Sequence, residues 1–141
     1  MFCNFYNTCY NARMKSKGEV IIPAGCKPWP HELRVASILA AAGHHVEFVP
    51  EANLHTADIA LNGIKYEIKS PKSSLSNSLE HILKKALKQS PNIIIDTSRM
   101  KYVRDNSTRN FLITQAKSRK QIKSLLMISK QNQIIDIKSL I

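Results

Sequence analysis

Acidic residues are scarce in this sequence. Only 10 Asp and Glu stand against 21 Lys and Arg in 141 residues, a formal net charge of +11, which favours capture of polyanions, nucleic acid first among them, over a merely soluble cationic surface. Long apolar runs are missing too: stretches such as 40–42 and 93–95 fall far short of the ~20 residues that cross a bilayer, so neither a transmembrane helix nor a membrane partner is expected. Cysteine is sparse. Cys3, Cys9 and Cys26 form an odd set at no recognised ligand spacing, so free thiols and a reducing place of action are read ahead of a zinc site completed by His31. Residues 1–10 lack a basic stretch followed by an apolar core, and no signal peptide is expected. Aromatic side chains are few. Beyond Trp29 the Tyr and Phe residues are scattered, and no interleaved basic and aromatic motif of a stacking platform is read.

What is present is a globular composition, with 43% hydrophobic and 22% charged residues, which excludes disorder and fits one domain at this length. Residues 1–17, polar and rich in Asn, read as a leader or loosely packed segment, and 18–141 as a single domain. A β-branched run at 20–22 stopped by Pro23 reads as an edge strand. Pro30 then opens a helix over 31–42, closed by Gly43. Strands follow at 45–49, 56–61 and 64–70. Residues 79–87 carry apolar side chains at helical spacing up to Gln89, with Pro91 beyond. A buried strand at 92–96, a helix over 106–120 and a hairpin of 124–129 with 133–138 complete the order. Strand, helix, three strands, helix, strand, helix and two strands make an α/β or α+β domain with a mixed central sheet flanked by helices.

Asn62-Gly63 is a strong two-residue hairpin signal and sets a register pairing Leu61 with Ile64, Ala60 with Lys65, Ile59 with Tyr66, and Asp58 with Glu67. Ile59, Leu61, Ile64, Tyr66 and Ile68 then share a core face, and Asp58, Ala60, Lys65, Glu67 and Lys69 share the other. Like charges directly opposed destabilise a sheet, so Asp58 and Glu67 need a counter-charge. A divalent cation supplies it, because hard metals take carboxylate oxygens. Lys69, one pleat period on, is placed to hold an attacking water or to neutralise charge on a pentavalent phosphate. A merely solvated polar face is the plain alternative; two acids set together tell against it. Glu32 lies at the end of the apolar stripe of its helix, which makes it a third inward-facing acid, although an acid in a first helical turn also suits the helix dipole.

Pro30-His31-Glu32-Leu33, Ala57-Asp58-Ile59-Ala60-Leu61-Asn62-Gly63, Tyr66-Glu67-Ile68-Lys69-Ser70-Pro71 and Asn92-Ile93-Ile94-Ile95-Asp96 together resemble the PD-(D/E)XK nuclease superfamily. More narrowly they resemble the C-terminal tRNase toxin domains of contact-dependent growth inhibition (CdiA) proteins. The resemblance spans 29–98 and departs from the nominal motif in having Ala57 before Asp58. It implies a restriction-endonuclease-like fold and a metal-dependent endonuclease, with tRNA as substrate in the narrower group and DNA among the wider superfamily. Asp58 and Glu67 would bind Mg²⁺, Mn²⁺ or Zn²⁺, Lys69 would act in catalysis, and Glu32 would assist. It implies too a toxin delivered as the end of a secreted protein into the bacterial cytoplasm, with an acidic immunity protein as partner.

Around this cluster, Ser70 and His81 are secondary candidates. Lys72, Lys84, Lys85 and Lys88 surround a helix whose start suits an anion. After Ser98 the bases, among them Arg109, Lys117, Arg119 and Lys120, face only Asp105 and Asp136, so a basic C-terminal third is expected to track a phosphate backbone. The competing readings are a non-catalytic nucleic-acid-binding module, a DNA nuclease of the same fold, and a structural protein that keeps the fold.

Overall fold

A computed structural model describes residues 18–50, 57–72 and 76–141, apart from the side chains of Ser76 and Asn77; the expected leader over 1–17 lies outside them. Within them the elements run β1 (Glu19–Ile21), α1 (Pro30–Ala41), β2 (His45–Phe48), β3 (Ile59–Leu61), β4 (Ile64–Lys69), α2 (Ser76–Leu87), β5 (Asn92–Asp96), α3 (Asp105–Ser118), β6 (Ser124–Ile128), β7 (Ile134–Asp136) and a 3₁₀ turn, η1 (Ile137–Leu140). The order matches the sequence expectation. The closing strand is shorter than expected because Ile137, fully buried beneath α3, turns the chain into η1.

All seven strands form one mixed sheet in chain order. β1 and β2, β4 and β5, and β5 and β6 pair parallel, and each of these steps is bridged by a helix; the remaining neighbours pair antiparallel. Parallel neighbours need such a crossover, whereas a hairpin suffices for antiparallel ones. Val35, Ala36 and Leu39 of α1 pack on Val46, Phe48, Ile59, Leu61, Tyr66, Ile68 and Ile94. Leu83 and Ala86 of α2, with Leu112 and Ala116 of α3, pack on Ile93, Ile95, Leu125 and Met127. Alternate residues of β5 therefore enter opposite cores, which explains why its sequence is apolar without a break.

Two local features fix the hairpin turn and the β1 edge of the sheet. Asn62 and Gly63 take φ of 51° and 87°, both left-handed as a type I′ turn needs. Asn62 Oδ1 also accepts the His45 N–H at 2.8 Å and its N–H donates to the His45 carbonyl at 2.8 Å, tying the turn to β2. At the β1 edge, a Cβ on Gly18 would lie 1.8 Å from the His44 carbonyl oxygen, so β1 closes on β2 only because that residue is glycine.

Candidate active site

The β3–β4 ladder runs in the expected register, Ile59 with Tyr66, Ala60 with Lys65 and Leu61 with Ile64. Ile59, Leu61, Tyr66 and Ile68 line the α1 core as expected, but Ile64, beside the turn, is 53% exposed. Glu67 and Lys69 pair with Ile93 and Ile95, so both lie on the face covered by α2 and α3.

Asp58 stands one residue beyond the ladder. Its N–H donates to the Tyr66 carbonyl at 3.0 Å, and its Oδ2 accepts the Ile68 N–H at 2.8 Å. It thus brackets Glu67 from both sides through backbone contacts. Only 5% of Glu67 is exposed. Its Oε2 lies 3.0 Å from Lys69 Nζ, while its buried Oε1 has no hydrogen-bond partner. Burial, and then the charge of Asp58, push the Glu67 carboxyl from 4.5 up to about 7, against the opposing hydrogen bond and charge of Lys69. An ionised carboxylate with one orphaned buried oxygen is costly. Either a proton or a cation relieves it.

A second polar cluster closes the C-terminal ends of β4 and β5. Asp96 is fully buried. Its Oδ1 accepts Arg34 Nη1 at 2.7 Å and the Ser98 N–H at 3.1 Å, and its Oδ2 accepts the Ser98 hydroxyl at 3.0 Å and the Ser70 hydroxyl at 3.2 Å. Arg34 Nη2 continues to Asn132 Oδ1 at 2.6 Å. Ser70 thus joins Asp96 and α1, whereas Lys69 turns toward Glu67. Arg34, Asp96, Ser98 and Asn132 were not legible as a unit in the sequence. The available signal was an acid ending an apolar strand parallel to the strand that carries Glu67.

Glu32 is half-buried in the first turn of α1, where its Oε1 accepts the Trp29 N–H at 3.0 Å. That is the reciprocal arm of a capping box, so Glu32 organises the helix start at the same end of the sheet as Asp96. His81, Lys84 and Lys85 are exposed on α2, Lys88 is exposed just after it, and Lys72 is exposed ahead of it. Because α2 and α3 run back from the C-terminal end of one strand to the start of the next, Lys84, Lys85, Lys88, Lys117, Arg119 and Lys120 lie toward the opposite end of the sheet from Lys69. About 18 Å of helix separates Asp105 from Lys117. Arg119 is held inside the fold, with Nε on Gln115 Oε1 at 2.8 Å and Nη2 on Glu80 Oε2 at 3.1 Å. Arg109 Nε is buried without a partner. Lys117 and Lys120 are exposed and, with Lys138, Ala116 and Ile141, line a concavity of about 480 Å³. Cys26 is a free, partly buried thiol, and Cys3 and Cys9 lie outside the described residues.

Among the described residues no three His, Cys, Asp or Glu side chains gather as a metal-ligand group, and no helix is long and apolar enough to cross a membrane. A pair of carboxylates still fits a hard cation, since Mg²⁺ usually takes one or two and completes its shell with water and phosphate. The unpartnered Oε1 of Glu67 is the observation that favours this fit.

Comparison with known proteins adds three findings. The family model of the contact-dependent growth inhibition CdiA C-terminal domain matches residues 55–134. No curated relative matches the chain. A chain of the CdiA-CT/CdiI toxin and immunity complex from Burkholderia pseudomallei shares the fold at 15% identity and a TM-score of 0.62, covering 84% of this chain and 98% of that one.

Proposed function

The chain belongs to the family of contact-dependent growth inhibition CdiA C-terminal domains, and from that premise we propose that it is a toxin effector acting as a metal-dependent endonuclease on RNA, most specifically tRNA. The buried Glu67, crowded by Asp58 and carrying one unpartnered oxygen, is the observation that carries this reading. A solvated strand face has no need to bury Glu67 beside Asp58; a metal-dependent phosphodiesterase uses such a pair to hold its cation. The mixed sheet with helices on both faces and the D…E-x-K spacing support a PD-(D/E)XK chemistry.

Asp58 and Glu67 would hold the divalent ion, which when bound supplies charge neutralisation and acidifies water. Asp58 is oriented by the Ile68 N–H. Lys69, 3.0 Å from Glu67 and about one-third exposed, extends from the pair toward solvent, where its ammonium orients the attacking water and offsets charge building on the scissile phosphate. The +11 charge favours a polyanionic substrate and, in the producing cell, an acidic immunity protein.

Purified protein incubated with total tRNA, mRNA and plasmid DNA, each with Mg²⁺, Mn²⁺, Zn²⁺ or EDTA, tests the proposal. Cleavage of tRNA with a divalent ion and none with EDTA is expected. Cleavage of plasmid alone transfers the reading to DNA, and binding without cleavage reduces it to a nucleic-acid-binding module.

A further inference from the structure

The loop between β5 and α3, residues 97–104, leaves the sheet at the catalytic end. Its base is pinned. Thr97 donates its N–H at 3.1 Å and its hydroxyl at 2.8 Å to the Ile128 carbonyl, and Lys130 Nζ reaches the Val103 carbonyl at 2.7 Å and Asp105 Oδ1 at 3.2 Å. Ser98 is held by Asp96, which also holds Ser70 beside Lys69. Met100 is fully buried. From this fixed base Tyr102 projects with 102% of its surface exposed and a φ of 66°. A bulky residue in the left-handed region is strained, and such outliers cluster at functional positions.

Arg99, Lys101 and Arg104 flank the tyrosine, and among the described residues none of the three forms an ion pair. A basic and aromatic interleaving thus exists, as Arg99-Met100-Lys101-Tyr102-Val103-Arg104. It escapes the sequence reading because only the fold buries Met100 and leaves Tyr102 free. A ring that protrudes alone buries no core, and its neighbours carry the charge that phosphates need.

We propose that this loop is a single-strand RNA clamp in which Tyr102 stacks on an unpaired base near the cleavage site while Arg99, Lys101 and Arg104 hold the adjoining phosphates. The proposal rests on the RNA nuclease reading for its ligand, and names the part of the substrate that reaches the site: an unpaired segment rather than a helix. Stacking on an aromatic ring tolerates any base, so the clamp selects strandedness rather than sequence.

The test uses the whole chain in EDTA, with a fluorescein-labelled 12-nucleotide single-stranded RNA and its duplex as probes. Tyr102→Ala is expected to weaken single-strand binding roughly 5- to 150-fold and to leave duplex binding within about two-fold, with Tyr102→Phe close to wild type. Tyr102→Trp should be quenched by the single strand. Unchanged single-strand affinity in Tyr102→Ala, or equal losses for strand and duplex, overturns the clamp. Because binding is read without metal, an inactive wild-type protein that still shows the Tyr102 effect sinks the nuclease reading and keeps the clamp. Active protein whose KM ignores Tyr102→Ala sinks the clamp alone.

Discussion

Replacing Glu67 by glutamine keeps its volume and removes the charge that burial and Asp58 oppose. In the folded chain this carboxyl titrates at about 7 rather than 4.5, so between those values the folded state holds a proton that the unfolded state has lost. Stability from this group is therefore present at low pH and is lost as pH rises through the folded value. Each tenfold difference in proton affinity between the two states is worth about 1.4 kcal/mol, so linkage between pH 5 and pH 8 removes stability on the order of 2 kcal/mol from the metal-free wild type. Glu67→Gln lacks that loss. Urea unfolding of both proteins in EDTA at the two pH values reads it as a double difference, in which the titrating groups away from Glu67, Asp58 and Lys69 cancel. Excess Mg²⁺ at pH 8 should restore about 2.7 kcal/mol to the wild type at a hundredfold excess over Kd, and nothing to the variant. A double difference near zero would mean that Glu67 is solvated, and the case for a cation between it and Asp58 would fail.

Lys69→Ala is expected to lose roughly 10²–10³-fold in kcat while calorimetry still detects metal binding; Lys69→Arg should not rescue it, since a planar fork replaces a compact ammonium. With Lys69 gone, the metal-free titration of Glu67, followed by carboxyl NMR, should move further up. In the salt dependence of single-stranded RNA binding, Lys101→Gln with Arg104→Gln should flatten the log–log slope by about 1.4, at about 0.7 per phosphate contact. The pair Lys117→Gln and Lys120→Gln, at the far end of the sheet, should flatten it less and leave single-turnover cleavage at saturating enzyme unchanged. Gly18→Ala forces a methyl into the His44 carbonyl and should lower stability by about 1–3 kcal/mol, with faster amide exchange confined first to β1 and β2.

Much of this fold is legible in the sequence because its signals are local. Asn62-Gly63 fixes one hairpin and hence which side chains flank Glu67, and the unbroken Ile93-Ile94-Ile95 run declares a strand covered on both faces. What is not legible depends on contacts distant in sequence. Arg34 meets Asp96 across 62 residues and Asn132 across 98, and no period along either segment announces those meetings. The basic C-terminal third reads as one tract in sequence, yet the fold divides it: Arg99, Lys101 and Arg104 stay at the end of the sheet that carries Asp96, Lys117 and Lys120 travel to the other, and Arg119 is consumed by Glu80 and Gln115. Glu32 is open to two readings by pattern, a ligand or a cap, and the structure shows it bound to the Trp29 N–H.

Single-turnover cleavage of 5′-labelled tRNA in Mg²⁺, with wild type beside Asp58→Asn, Glu67→Gln and Lys69→Ala, tests the central claim most directly. Each variant is first shown to be folded by its melting curve. Metal-dependent cleavage by the wild type, abolished in the two carboxylate variants and slowed at least a hundredfold in Lys69→Ala, is the predicted result. Cleavage that persists in Asp58→Asn and Glu67→Gln, or that proceeds in EDTA, would contradict it and remove the hairpin from the chemistry.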